Sequence, residues 1–331
     1  MKRQPMKRRE FITLLGGAAA AWPIAARAQQ PAMPVIGYLS LGLPDVFAER
    51  LRAFRQSLAE TGFVEGRNVA IDYRWAGDDV ERLPALAADL VRRQVTVIAA
   101  FGGLNGSLAA KTATSTIPVV FGTGDDPIAT GLVTSLNRPG GNVTGAVTLG
   151  VEVSPKRLEL MHELVPTGTI AVLVNPTRPN ANEIAAGMQA AAQALRRQIQ
   201  VLQASNEREI DAAFASLAQL RAGALVIGND AYFNSRAKQF GALTLRHGVP
   251  TIYQYREFAA AGGLMSYGSA IADIYRIVGT YVGRVLTGEK PADLPVQQAT
   301  RIELIINMTT AKALGLTFPI TLLGRADEVI E

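Results

Sequence analysis

Short β-branched runs alternate with longer segments of helical period along almost the whole chain, and this alternation restricts the fold to parallel βα units. In the first half the runs lie at 35–39, 69–73, 95–99 and 119–121, with helical stretches near 45–60, 80–93 and 105–114. Leu51, Phe54, Leu58 and Ala59 fall at helical spacing, and Thr61-Gly62 reads as the stop of that helix. After the loop-forming Asn137-Arg138-Pro139-Gly140-Gly141-Asn142 a second series begins. Its strands are expected at 170–174, 199–202, 224–227 and 249–253, and its helices near 181–197, 207–220 and 234–247. Strand starts recur at intervals of about 24 to 34 residues in both series, so two similar α/β units stand in tandem.

The tail departs from simple tandem order, with a strand at 263–267, a long helix near 271–287 and a strand at 302–306. Such an appendix returns the chain to the first unit and then back to the second. The expected division gives lobe I residues 34–148 plus about 268–292, and lobe II residues 149–267 plus about 293–331. Two lobes joined by several crossings can open and close by hinge motion around a central cleft, a geometry suited to capturing a small molecule.

The N-terminus reads as an export signal. Lys7-Arg8-Arg9-Glu10-Phe11-Ile12 sets two adjacent arginines ahead of a large apolar side chain, an apolar run from Leu14 to Ala21 follows, and Ala26-Arg27-Ala28 offers a small-x-small cleavage site before Gln29. The pattern is that of a twin-arginine signal; an ordinary secretory signal containing Arg-Arg leads to the same destination, the periplasm. The apolar run is too short to cross a bilayer of about 30 Å as a helix. Within 1–28, Lys2, Arg3, Lys7, Arg8, Arg9 and Arg27 against Glu10 account for the entire formal charge of +5, so the remainder is formally neutral. A nucleic-acid partner would require a basic face that the remaining chain does not carry.

The chain has no cysteine, which excludes disulfides, thiol catalysis and thiolate metal sites. Its histidines are His162, inside an expected helix, and His247, at an expected helix end before Gly248. No Gly-x-Ser-x-Gly elbow, no His-Glu-x-x-His helix and no phosphate loop ending in Gly-Lys-Ser/Thr is present. No catalytic residue, metal or cofactor is therefore expected.

Several segments are familiar. Gly62-Phe63-Val64-Glu65-Gly66-Arg67-Asn68, Ile117-Pro118-Val119-Val120-Phe121, Asp126-Pro127, Gly131-Leu132-Val133 and above all Pro139-Gly140-Gly141-Asn142-Val143-Thr144-Gly145 resemble the ABC-transporter substrate-binding family whose best-known members bind tryptophan and related amino acids. Leu304-Ile305-Ile306-Asn307, Thr310-Ala311 and Leu314-Gly315-Leu316 resemble that family's ending, and the likeness covers about 34–320. The resemblance implies the type I periplasmic binding protein fold: two Rossmann-like α/β lobes, a hinge and a central ligand cleft. It also implies delivery of ligand to a membrane permease powered by a separate ATPase.

In parallel α/β sheets ligands sit outside the carboxyl ends of the strands. That rule nominates Ser40 after the first strand, Phe101, Gly102 and Gly103 after the third, and Thr123 and Asp125 after the fourth. The Phe-Gly-Gly loop departs from the family's commoner threonine-containing version, so backbone amides at a helix start are the donors it keeps. Asp126 before Pro127 reads as a helix cap. In the second unit Asn175, Asp230, Tyr232, Tyr253 and Glu257 follow strands, with Asn180 or Asn182 expected to cap the intervening helix. Asp230 is the first choice for a ligand ammonium or hydroxyl, in competition with helix capping. Arg256 and Glu257 also read as a solvated pair.

The expected function is that of a monomeric, soluble binding protein closing around a small polar ligand of amino-acid, aromatic or carboxylate character. Two alternatives share the scaffold: a carboxylate-based hydrolase or lyase, and a ligand-sensing module for a membrane receptor.

Overall fold

Each series of βα units closes into its own sheet. The first sheet is built from β1 (Val35–Ser40), β2 (Ala70–Trp75), β3 (Val97–Ala100), β4 (Val119–Thr123), β5 (Val143–Thr148) and β11 (Gln297–Ala299), all parallel, in the order β11-β5-β4-β3-β1-β2. The second contains β6 (Thr169–Val174), β7 (Ile199–Gln203), β8 (Ala222–Ile227), β9 (Thr251–Tyr253), β10 (Met265–Ser269), β12 (Ile302–Asn307) and β13 (Glu328–Ile330), in the order β13-β12-β10-β9-β8-β6-β7. Only the β10–β12 pair in it is antiparallel. The computed structural model describes residues 33–331 except 149 and 151, and the expected export signal at 1–28 lies outside the described residues.

Helices cover both faces of each sheet, as parallel sheets require. In the first lobe α1 (Ala48–Glu60) and α10 (Ile271–Leu286) bury Phe54, Leu58, Val278 and Val282 against Ile36, Val97 and Val120. On the other face lie α2 (Leu83–Arg92) and α3 (Gly103–Ala113), with Leu90 and Leu104 against Ile98 and Phe121. In the second lobe α4 (Ser154–Leu164) and α5 (Ala181–Ala194) bury Met161, Ile184 and Met188 against Ile170, Val172 and Val226. Opposite them, α6 (Glu207–Gln219), α7 (Ala231–Asn234) and α8 (Ala237–His247) bring Phe214, Phe233 and Phe240 to Leu173 and Leu225. The shorter α9 (Arg256–Ala260), α11 (Met308–Ala313) and α12 (Ile320–Leu323) complete the second lobe.

The α1–α10 contact is tight enough to need glycine. A Cβ on Gly279 would collide with the Ser57 hydroxyl and the Phe54 carbonyl, and one on Gly283 with the Thr61 side chain. The two helices therefore meet backbone to side chain, and α10 is fixed to the first lobe although it follows β10 of the second.

The chain crosses between lobes three times among the described residues: from β5 to α4, from β10 to α10, and from β11 to β12. The last crossing lies further along than the sequence suggests. Gln297–Ala299 pair with Ala146, Val147 and Thr148, so this stretch past residue 292 joins the first sheet. β10 runs to Ser269, and the second crossing falls at Ala270.

Other expectations shift locally. The helix expected near 234–247 is α8, which starts at Ala237 and is preceded by the separate short α7, and β5 forms where no strand was expected. Asp126 caps a turn rather than a helix, its Oδ1 accepting from the amides of Ile128 at 2.8 Å and Ala129 at 3.1 Å. In the Pro-Gly-Gly-Asn stretch, Asn142 donates to the carbonyls of Thr114 and Ile117 at 3.1 and 2.7 Å, anchoring the entry to β5 beside β4.

Candidate functional site

A cavity lies between the lobes at the carboxyl ends of the strands, where parallel α/β sheets bind their ligands. Its first-lobe wall comes from the segments after β3, β4 and β5, together with Phe47 and Arg50 at the start of α1 and the first turns of α10. The second lobe contributes Arg178, Asn229 and Tyr255, which follow β6, β8 and β9.

Rings form much of the lining. Phe101 and Tyr275 stack with centroids 4.1 Å apart and planes 1° apart, while Phe47 and Tyr255 line the cavity near them. Burial raises the phenol pKa of both Tyr255 and Tyr275, so each hydroxyl stays protonated at neutral pH and can donate. Tyr255 donates to Asn229 Oδ1 at 3.5 Å.

Gly102 and Gly103 present backbone rather than side chain. Gly102 has φ +101°, and a Cβ there would lie 2.7 Å from the Leu41 nitrogen; Gly103, at φ +67°, faces Ala231 of the other lobe. Gly102 stands at the N-cap of α3 with no side-chain acceptor, leaving first-turn amides available beside the cavity.

Two ion pairs between the lobes bracket the cavity. On one side Arg50 Nε lies 3.0 Å from Glu257 Oε1, with the guanidinium over Phe47 at 4.5 Å and Tyr255 at 5.4 Å. Burial alone would lower the Arg50 pKa, but the Glu257 charge and the nearby phenols outweigh it and carry it above its ordinary value. On the other side Arg178 pairs with Asp125, their side chains only 8 % and 2 % exposed. Asp125 also accepts from Asn180 Nδ2 at 2.9 Å and from the Thr123 hydroxyl at 2.9 Å. A third cross-lobe pair, Arg236 to Asp78 at 3.3 Å, lies further along the cleft.

The sequence candidates separate into groups. Phe101, Gly102, Gly103, Thr123 and Asp125 line the cavity. Asn175, Asp230 and Tyr232 come together in a small adjoining pocket that shares Gly102 and Arg178 with the cavity. There Asp230 caps α7 by accepting from Phe233 N at 3.1 Å and takes a second bond from Asn175 Nδ2 at 3.1 Å. Capping thus engages Oδ1 of the carboxylate first chosen for ligand, and burial raises its pKa. Glu257 lines an outer groove, and instead of pairing with Arg256 it reaches Arg50; Arg256 pairs with Glu328.

Ser40 and Tyr253 are placed elsewhere. Ser40 is fully buried at the end of β1 and outside the cavity lining. Tyr253 is a core residue of β9: its hydroxyl meets the Thr244 hydroxyl at 2.6 Å and its ring stacks on Phe258 at 4.9 Å. Two residues on, past the strand end, Tyr255 holds the position expected of Tyr253. Asn229 likewise stands one residue before the chosen Asp230. Asn180 occupies the α5 N-cap position but sends its amide across the cleft to Asp125.

Among the cavity residues that sequence reasoning did not select are Phe47, Thr148, Tyr275, Arg50, Arg178, Asn229 and Tyr255. The strand-end rule reaches the last three, since each follows a second-lobe strand; Arg50, inside an amphipathic helix, carries no such signal. Among the described residues no group of three or more His, Cys, Asp or Glu side chains is placed to hold a metal ion, and no helix is long and apolar enough to cross a membrane.

A family profile described as ABC transporter substrate binding protein matches residues 45–330. The chain is 27% identical over 267 residues, 80% of its length and 76% of the relative's, to a tyrosine-binding protein of Clostridioides difficile (strain R20291). A conserved domain protein from Vibrio cholerae superposes with a TM-score of 0.82 at 24% identity, over 90% of this chain and 99% of that one. An ABC domain from Streptococcus pneumonia, solved in complex with L-Trp, superposes with a TM-score of 0.79 at 24% identity, over 89% of this chain and 100% of that one.

Proposed function

Because the chain belongs to the ABC transporter substrate-binding protein family, whose members are non-enzymatic binders, we propose that it is the periplasmic component that closes around a small flat ligand and hands it to a membrane permease. The ligand class that fits best is an aromatic amino acid or a close relative. The observation carrying this reading is the cavity between the lobes, where four rings and a few fixed polar groups are enclosed by cross-lobe ion pairs. Such a lining binds a flat apolar body by burial and orients its polar end by hydrogen bonds.

The binding reactions of two relatives agree with that choice, one being a tyrosine-binding protein and the other crystallised with L-Trp. Closure then follows from differential affinity: groups from both lobes contact ligand together only in the closed state, so ligand shifts the population towards it. The export pattern at the N-terminus supports a periplasmic destination, and the cleft opening to both lobes gives a permease one surface that changes with ligation.

The test is calorimetric titration of the purified protein with L-tryptophan, L-tyrosine, L-phenylalanine and non-aromatic amino acids, alongside thermal-shift measurements. Saturable binding of at least one aromatic amino acid, with a raised melting temperature and no chemical change in the compound, is expected. Binding confined to non-aromatic compounds would replace the ligand class, and turnover of a bound compound would replace the binder reading.

A further inference from the structure

We propose that the buried guanidinium of Arg157 is a positioning residue whose unpaired charge holds the anionic group of the ligand at the Thr148–Asn229–Tyr255 end of the cavity, making the site selective for a carboxylate-bearing ligand. The inference rests on the interlobe cavity being the ligand site.

The cations that bridge the cleft are neutralised: Arg50 by Glu257, Arg178 by Asp125 and Arg236 by Asp78. Arg157 is not. Its side chain is fully buried, and among the described residues no carboxylate pairs with it and its Nε has no hydrogen-bond partner. Its bonds go to neutral acceptors: NH1 donates to the Tyr267 carbonyl at 3.2 Å, and NH2 to the Gly150 carbonyl at 3.2 Å and the Ser154 hydroxyl at 2.6 Å. Burial lowers its pKa to about 10, which leaves the group charged at neutral pH. A buried cation without a counter-ion is costly, and breaking its isolation with an anion recovers part of that cost.

The placement connects this charge to the ligand. Gly150, which accepts from Arg157, lies on the first crossing just past Thr148. A Cβ on Gly150 would run into the Asn229 amide and stand 3.1 Å from the Gly124 carbonyl, both in residues of the cavity wall. Tyr255, in the same wall, has its phenol pKa raised by burial, with the Arg50 charge and, to a lesser extent, the Arg157 charge opposing that rise. With Arg50 and Arg178 each paired to a carboxylate, Arg157 is a buried cation near this end without one among the described residues, and in a poorly solvated interior its charge is weakly screened. Thr148, Asn229 and Tyr255 offer hydroxyl and amide donors in the same place.

The experiment compares each aromatic amino acid with its own amide (L-tryptophan with L-tryptophanamide, L-tyrosine with L-tyrosinamide) by titration of the wild type, Arg157→Gln and Arg157→Lys. The wild type should prefer the acid by about tenfold or more, the scale of one charge-assisted contact. Arg157→Gln should bring the ratio close to unity while leaving amide affinity within about threefold, and Arg157→Lys should keep most of it. A purely structural loss would weaken acid and amide together and leave the ratio unmoved, which overturns the proposal. If Arg157→Gln does not fold, a folded Arg157→Lys that loses the ratio overturns it, as does a wild-type ratio near one. Equal binding of acid and amide defeats this inference alone, whereas binding of neither defeats the functional reading beneath it.

Discussion

Arg50 Nε sits 3.0 Å from Glu257 Oε1, joining the first turn of α1 in one lobe to α9 in the other, and the guanidinium lies against rings from both lobes, Phe47 and Tyr255. The cage around Arg50 is complete only when the lobes meet. Closure is therefore stabilised by contacts that the protein makes with itself, in addition to those it makes with ligand.

Glu257→Gln removes the anion but keeps the shape. Because Glu257 is 36 % exposed, the loss should be modest, about 1 kcal/mol of closed-state stability. Small-angle scattering of the ligand-free protein should show a larger radius of gyration for the variant, and ligand affinity should fall by about fivefold. Identical scattering profiles would show that the pair does not hold the lobes.

Asp125→Asn should cost more, since it leaves Arg178 buried without its cross-lobe carboxylate. Breaking a buried pair of this kind costs about 3 kcal/mol, so affinity should drop by roughly two orders of magnitude. The loss should persist at high salt, because buried charges are poorly screened. Calorimetry at low and high ionic strength checks both points; full recovery in salt would contradict the buried geometry.

Gly283→Ala pushes a methyl group into Thr61 and forces α1 from α10. Overpacking at a close helix contact costs about 1–3 kcal/mol, which should lower the melting temperature by several degrees. Pairing it with Thr61→Ala, which removes the hydroxyl and the methyl that obstruct the new Cβ, should restore part of the loss. Additive destabilisation in the double variant would place the strain elsewhere.

Asp230 predicts a pH dependence. Burial raises its pKa in the folded chain, against the opposing effects of the Arg178 charge and the Asn175 and Phe233 bonds. Between the ordinary carboxylate range and the raised folded value, the native state holds a proton that the unfolded chain has released. Stability attributable to this group is therefore fully present below the unfolded pKa and lost as pH rises through the folded one. Asp230→Asn keeps an acceptor for the Phe233 amide and should flatten that part of the profile. Denaturant midpoints of both proteins across the acid range decide it, parallel profiles being the contrary result.

Most strands were legible because β-branched runs such as 170–174 bury on both faces and say so in composition. β5 was not: Val-Thr-Gly-Ala-Val-Thr has small and polar residues where Gly145 must pass the Phe121 carbonyl, and reads as loop. β11 is Gln-Gln-Ala, with two exposed residues and no apolar pattern; it is a strand because β5 offers it an edge. In the site, the backbone positions after β3 and β4 follow from topology alone. Arg50 does not, since an arginine in an amphipathic helix normally faces water; here a partner 207 residues away encloses it. The exchange of Tyr253 for Tyr255 turns on where β9 stops, which periodicity does not fix to the residue.

The three crossings also set an order on assembly. α10 and β11 complete the first lobe, yet they come after five of the seven strands of the second. During synthesis the growing chain carries an unfinished layer, with α1 lacking its helix partner and β5 exposing a sheet edge until residue 299 has emerged. A protein built this way does not mature from its N-terminus domain by domain; its first lobe waits for its last hundred residues, and a fragment ending before Ala299 leaves that edge open.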